Sequence, residues 1–167
     1  SALRLTDHDR LSLLYSLSFS AANMDIYGGL LNAATICAYD IRRHGIAQLA
    51  DWLDKERITV LHTVPTVFRQ LTKALAPHRR FGGIRAVDLG GETMFASDVP
   101  LFHRHFSDDC LFVNHLAATE ASVIAQYVVD RGQTHDGAAM LPVGRSPEGV
   151  TVHIRRPDGA EAAVDEV

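Results

Sequence analysis

Apolar runs of strand length alternate with amphipathic stretches along this chain, and no other feature constrains the fold as strongly. "LSLLYSLSF" (11–19), "ATICAY" (34–39), "TVLHTV" (59–64), "IRAVDLGGE" (84–92), "CLFVN" (110–114) and "SVIAQYVV" (122–129) predict strands. Between them, 23–33, 46–58, 65–75 and 96–106 carry apolar residues at helical spacing. The clearest is 46–58, with Ile46, Leu49, Ala50 and Leu53 on one face. Pro65 stops one strand and opens the next helix, where its missing N–H costs nothing. Ser97 or Asp98 is the expected cap of the helix over 96–106. "GQTHDGAAMLPVG" reads as loop by composition, and 149–162 reads as a hairpin around Pro157, Asp158 and Gly159. Strand, helix, strand, helix implies βαβ units. The expected fold is a single α/β unit over 1–167: a mostly parallel sheet flanked by helices, with a C-terminal β-hairpin.

The remaining totals exclude more than they assign. A chain of 167 residues can bury one core. Its net charge of -4 and lack of a basic run argue against nucleic acid as a partner. No apolar stretch reaches the roughly 18 residues of a membrane span. "SALRLTDHDR" is not a signal peptide. Cys37 and Cys110 sit in apolar runs and read as buried thiols of a reducing compartment, so the expected address is the cytoplasm. Both ends look cut, as in a fragment of a larger protein.

In parallel sheets ligands gather beyond the carboxyl ends of strands. Gly90–Glu92 and 114–120 both start at such ends and could share a ligand. The two glycines let a backbone approach a flat or charged ligand, or they form a tight turn beside an exposed glutamate. Thr119 and Glu120 could hold a phosphate and Mg²⁺, or they open a helix with threonine as its cap. His103 and His105 point to different faces of one helix and make no zinc spacing. Ser12, Ser16, Ser18 and Ser20 show no nucleophile elbow.

Five stretches, in order, resemble one family: "SFSAANMDIYGGLLNAATI", "ITVLHTVPTVFRQL", "IRAVDLGGETM", "NHLAATEAS" and "LPVGRSPEGVTVHIRRPDGAE". They are similar to the aromatic-led motif, the strand and proline-led helix, the Gly-Gly-Glu loop, the Thr-Glu motif and the following hairpin of the adenylate-forming superfamily. That superfamily includes nonribosomal peptide synthetase adenylation domains and acyl-CoA synthetases. The resemblance covers about residues 11–166. It implies an internal fragment of the large N-terminal domain of an adenylate-forming ligase. Such a ligase turns a carboxylic acid and ATP into acyl-adenylate and pyrophosphate, then passes the acyl group to a carrier phosphopantetheine or CoA. By the resemblance Thr119 touches phosphate and Glu120 holds Mg²⁺. Gly90, Gly91 and Glu92 line the adenine and acyl sites, and Asn114 and Leu116 lie at the adenine. The acyl wall takes Ser20, Ala21, Met24, His62, Asp88 and His115.

The departures from the pattern are specific. Leu116 replaces the tyrosine that stacks on adenine, which forfeits about 0.5–1.5 kcal/mol of stacking. By the resemblance Ala117 and Ala118 replace a glycine and a proline, so the loop is expected to be reshaped. Ser20 follows Phe19 where members that activate amino acids place an aspartate for the substrate ammonium. The family's phosphate loop, ribose-binding aspartate and catalytic lysine are not in this chain, so the chain alone is expected to be inactive. A degenerate, non-catalytic scaffold is the rival class. Asp88 either faces solvent or joins His62 and His115 in the pocket. In the second case the pocket suits a small polar or aryl acid, with hydroxyl or amino groups away from the α position, over a fatty acid and over ordinary α-amino acids.

Overall fold

The computed structural model describes residues 2–133 and 138–163. The predicted alternation is present: β1 (Arg10–Leu13), α1 (Ala21–Leu31), β2 (Thr35–Ala38), α2 (Ile41–His44), α3 (Leu49–Lys55), β3 (Val60–Thr63), α4 (Pro65–Ala74), β4 (Ala86–Gly90), α5 (Asp98–His105), β5 (Leu111–Ala118) and β6 (Ser122–Val128). The strands form one sheet in the order β2-β1-β3-β4-β5-β6. The first five run parallel and β6 pairs antiparallel with β5. Among the described residues no helix is long and apolar enough to cross a membrane.

Several boundaries differ from the sequence reading, each for a tertiary reason. The strand expected over 11–19 ends at Leu13. Beyond it the Ser16 carbonyl and hydroxyl accept the Phe19 and Ser18 N–H groups, and the chain turns into α1. The helix expected over 46–58 is shorter and is preceded by α2, which Asp40 caps through the Arg42 and Arg43 N–H groups. Ser97 occupies the cap position of α5 but makes no side-chain capping bond. Asp98 instead accepts the Phe95 N–H and both arms of Arg69. The strand expected to stop at Asn114 runs on to Ala118, because β6 folds back along it. The C-terminal hairpin is reduced to a turn closed by the single bridge Arg155–Glu161. The loop predicted over 132–144 lies partly outside the described residues.

Alternation along the central strands sorts their side chains onto two faces. Leu61, Val87, Leu89 and Phe112 enter the larger core with Leu49 and Leu53 of α3, Phe68 of α4 and Phe102 of α5. Leu11, Val60, Ala86 and Val113 form a smaller apolar layer on the opposite face, beneath α1. Two residues further along their strands, His62, Asp88 and His115 continue that second face. Cys37 and Cys110 are buried and free, and burial pushes the Cys110 thiol up to about 12.

A buried carboxylate ties down the opposite end of the sheet. Asp9 accepts the Arg85 guanidinium at 2.8 and 2.7 Å, the Thr59 hydroxyl at 2.7 Å and the Thr6 N–H at 2.8 Å. Burial alone would raise this carboxyl, but Arg85, Thr59 and Thr6 outweigh it and hold it far below the usual range. Its folded pKa therefore lies below its unfolded one. The stabilisation is complete above the unfolded value near about 4 and is lost as pH falls below it. Asp9→Ala is expected to cost about 2–3 kcal/mol at neutral pH in urea denaturation, and much less at low pH. A cost that does not shrink on acidification would exclude the ionic role.

Candidate active site

The carboxyl ends of β1, β3, β4 and β5 open into one cleft of about 510 Å³, reached by Tyr15, Val64, Gly90 and His115 respectively. The N-terminus of α1 adds Ser20, Ala21 and Met24, and the β5–β6 turn adds Thr119 and Glu120. The expected helix start at Thr119 is absent: Thr119 and Glu120 form a hairpin turn, closed by the Ala121 N–H on the Ala118 carbonyl. The Ser20 and Thr119 hydroxyls lie 3.2 Å apart and join α1 to that turn across 99 residues of sequence. Ser20 stands at the N-cap of α1 but makes no capping bond with its side chain. Glu120 is exposed and the described contacts leave its carboxylate free.

The Gly-Gly-Glu loop has a different role for each residue. A Cβ on Gly90 would collide with the His115 ring, so glycine is what lets that ring lie against β4. Gly91 turns the chain with φ +80°, a region that favours glycine. Glu92 is exposed yet tethered: its carboxylate accepts the Thr66 N–H at 2.9 Å and the Thr66 hydroxyl at 2.6 Å. It thereby caps the start of α4, where a negative charge is favoured.

A second cleft of about 410 Å³ shares Gly91, Glu92, His115 and Ala117 with the first and extends past Asn114 and Leu116. The two clefts diverge because Asn114 and His115 lie on opposite faces of β5. Leu116 is 43% exposed and offers the second cleft an apolar surface. The Asn114 amide is committed: it donates to the Pro142 carbonyl at 2.9 Å and to that of Leu141 at 3.5 Å. Ala117 remains in β5, where a register shift between Leu116 and Ala117 bends the strand. The positive φ of this segment falls on Ser122 instead.

Beneath the first cleft lies a buried polar cluster. Asp88 is 0% exposed, so its solvent-facing reading is wrong. Its Oδ1 takes His115 Nδ1 at 2.7 Å. His62 Nδ1 pairs with Asp25 Oδ1 at 2.8 Å, and the two imidazole rings stand 5.3 Å apart. Tyr15 lays its ring 4.7 Å from His62. Burial pushes the Asp25 carboxyl up against the opposing pull of His62. Burial would push His62 down, but Asp25 and Asp88 outweigh it and hold the imidazole above its usual range. The Tyr15 phenol is raised by burial and by the carboxylates of Asp25, Asp88 and Glu92. The sequence reading did not include Asp25 or Tyr15 in the site. A signal for Asp25 was present: Ala21, Met24 and Asp25 fall at i, i+3 and i+4, one face of α1.

The chain matches the family model described as AMP-binding enzyme over residues 1–167. It is 32% identical over 149 residues to syringomycin synthase SyrB1 of Pseudomonas syringae pv. syringae, covering 87% of this chain and 24% of that protein. The fold is similar to that of the Vibrio cholerae adenylation domain AlmE in complex with glycyl-adenosine-5'-phosphate. That match has a TM-score of 0.79 at 20% identity and covers 99% of this chain and 31% of that one. It is also similar to holo-PA1221, a nonribosomal peptide synthetase protein containing adenylation and PCP domains. There the TM-score is 0.79 at 24% identity, covering 98% and 28% of the two chains. The chain thus spans about a quarter to a third of these relatives. The Gly-Gly-Glu loop, the Thr-Glu turn and the proline-led α4 lie on the mostly parallel sheet that those structures share, and with the family model matching from end to end the chain belongs to the AMP-binding enzyme family.

Proposed function

We propose that this chain forms one wall of the active site of an ATP-dependent adenylate-forming ligase of the peptide-synthetase type. The parent protein would convert a carboxylic acid to its acyl-adenylate and pass the acyl group to a thiol of a carrier phosphopantetheine or of CoA. The observation that carries this reading is the meeting of two clefts at Gly91, Glu92, His115 and Ala117. The acid would enter from the Ser20, Ala21 and Met24 side and adenine from the Asn114 and Leu116 side. The reacting carboxylate and the α-phosphate would then meet beside Thr119.

Each group has a physical task in that reading. The Thr119 hydroxyl, held by Ser20, donates to a phosphate oxygen. Leu116 buries one face of adenine. Asn114 shapes the adenine side by fixing residues 141 and 142. Glu120 would hold Mg²⁺, since one carboxylate with substrate phosphates is an ordinary ligand set for that ion. When bound, the ion neutralises charge on the phosphates. The protein's own contribution is alignment of the two reactants and fixed donors at the developing charge. The chain alone would give no exchange, since it is 31% of the AlmE chain it matches.

ATP–pyrophosphate exchange on the full-length parent tests the reading. Glu120→Gln keeps size and removes charge. It is expected to lower exchange by about 10- to 30-fold and to raise the Mg²⁺ concentration needed for half-maximal rate. An unchanged Mg²⁺ dependence would remove Glu120 from the metal. Absence of exchange with every acid would favour the non-catalytic scaffold.

A further inference from the structure

The polar cluster under the acyl cleft contains more hydrogen-bonding capacity than the protein uses. Asp25 Oδ2, Asp88 Oδ2 and His62 Nε2 are all buried and have no partner among the described residues. Buried polar atoms are rarely left unpaired, because each costs about 1–3 kcal/mol. All three residues line a cleft of about 690 Å³ that adjoins the one described above, with Met24 and Ser122 bordering both. On β4, Asp88 lies two residues below Gly90, roughly 6–7 Å deeper along the strand.

The three atoms constrain what could fill the place. Ionised carboxylates only accept hydrogen bonds, and a neutral imidazole whose Nδ1–H is given to Asp25 leaves Nε2 as an acceptor. The missing group must therefore offer a donor to each of the two carboxylate oxygens, and a third to His62 Nε2 when that ring is neutral. A primary ammonium has that number and also balances the buried carboxylates. With such a cation in place, the positive charge that Asp25 and Asp88 draw to the His62 ring comes from the ligand, and the ring is left neutral.

A transition metal is the competing occupant. One ligand atom from each of His62, Asp88 and His115 lies within 4.8 Å of the others. His115 gives Nδ1 to Asp88 at 2.7 Å, so a metal that left this bond intact could reach the ring only through Nε2, and that nitrogen lies against Gly90. An ammonium needs only the atoms left over.

We infer that the acid taken by this site carries a primary ammonium distal to its carboxyl group, received by Asp25, Asp88 and His62. The inference rests on the adenylation reading above and gives that reading its substrate class. Ser20 supplies no charge near the mouth of the cleft, whereas these carboxylates do so at its depth.

Exchange by the full-length protein with paired acids decides it: γ-aminobutyrate against pentanoate, and ornithine against norleucine. At least one amine is expected to exceed its methyl partner by ~50-fold or more in kcat/KM, as sites built around a donor reject analogues that lack it. Asp88→Asn and, independently, His62→Gln should erase that preference while the melting curve stays cooperative. Equal rates for amine and methyl partners would overturn the ammonium and leave adenylation standing. No exchange with any acid would overturn both. One equivalent of zinc retained through dialysis by the wild type and lost in His62→Gln would assign the cluster to a metal instead.

Discussion

Gly90→Val in the full-length protein is expected to cut acid-dependent exchange by about a thousandfold, roughly 4 kcal/mol of transition-state free energy. A Cβ at this position lands in the His115 ring. Gly90 and His115 are register partners on adjacent parallel strands, so neither backbone can withdraw without breaking the β4–β5 ladder. The ring has to swing out, and its bond to Asp88 goes with it. Asp88 is then a fully buried carboxylate with both oxygens unpaired, which is among the costliest outcomes for a single substitution. The displaced ring and the new side chain also fill the first cleft on the Ser20, Ala21 and Met24 side, where the acid is proposed to enter. The loss should therefore appear as a raised KM for the acid, with the KM for ATP moved little. Gly91→Ala is the control: the added methyl meets only Val64 at 3.7 Å, and the strain at φ +80° costs about 1 kcal/mol. Equal effects of the two substitutions, or an effect of Gly90→Val confined to ATP, would show that His115 does not shape the acyl pocket.

Much of this arrangement can be read in the sequence because it follows from alternation. Val60 and His62, Ala86 and Asp88, and Val113 and His115 repeat at spacing two, so each strand carries its apolar and polar residue on one face. Parallel order then brings the three polar residues to the same sheet edge. What alternation cannot give is pairing across long separations. The bond from Asp25 to His62 spans 37 residues: the spacing in α1 puts Asp25 on the face of Ala21 and Met24, but nothing local names its partner. The antiparallel return of β6 is equally non-local. Without it, Asn114 looks like the end of a strand and Thr119 like the start of a helix. The run over 11–19 misleads for the opposite reason: its apolar content continues after the hydrogen-bonding partners of β1 have ended at Leu13. The bonds from the Asn114 amide to the carbonyls of residues 141 and 142 are likewise long-range and have no local signal.

The second large effect concerns the face of the sheet opposite the buried polar cluster. Phe112→Ala is expected to destabilise this chain by about 3–5 kcal/mol in urea denaturation. Phe112 is the ring where α4, α5 and β5 meet. It stacks on Phe102 at 4.2 Å with an interplanar angle of 2°, and it lies 5.4 Å from Phe68. All three rings are almost wholly buried, and Phe106 stacks on Phe102 from the α5 end. Truncation leaves a cavity between rigid rings that cannot collapse into it, so the cost should fall near the upper end of that range. Phe112→Leu keeps most of the volume and is expected to cost roughly 1–1.5 kcal/mol. Next along β5, Val113 points the other way and Asp88 is its register partner. Any variant that still folds should therefore keep the Asp88–His115 pair. In the full-length parent, Phe112→Leu should then leave the ranking of acids unchanged while lowering the melting temperature. A changed ranking would mean that the two faces of β5 are coupled, and that the acyl pocket draws its shape from the aromatic core as well as from the polar edge.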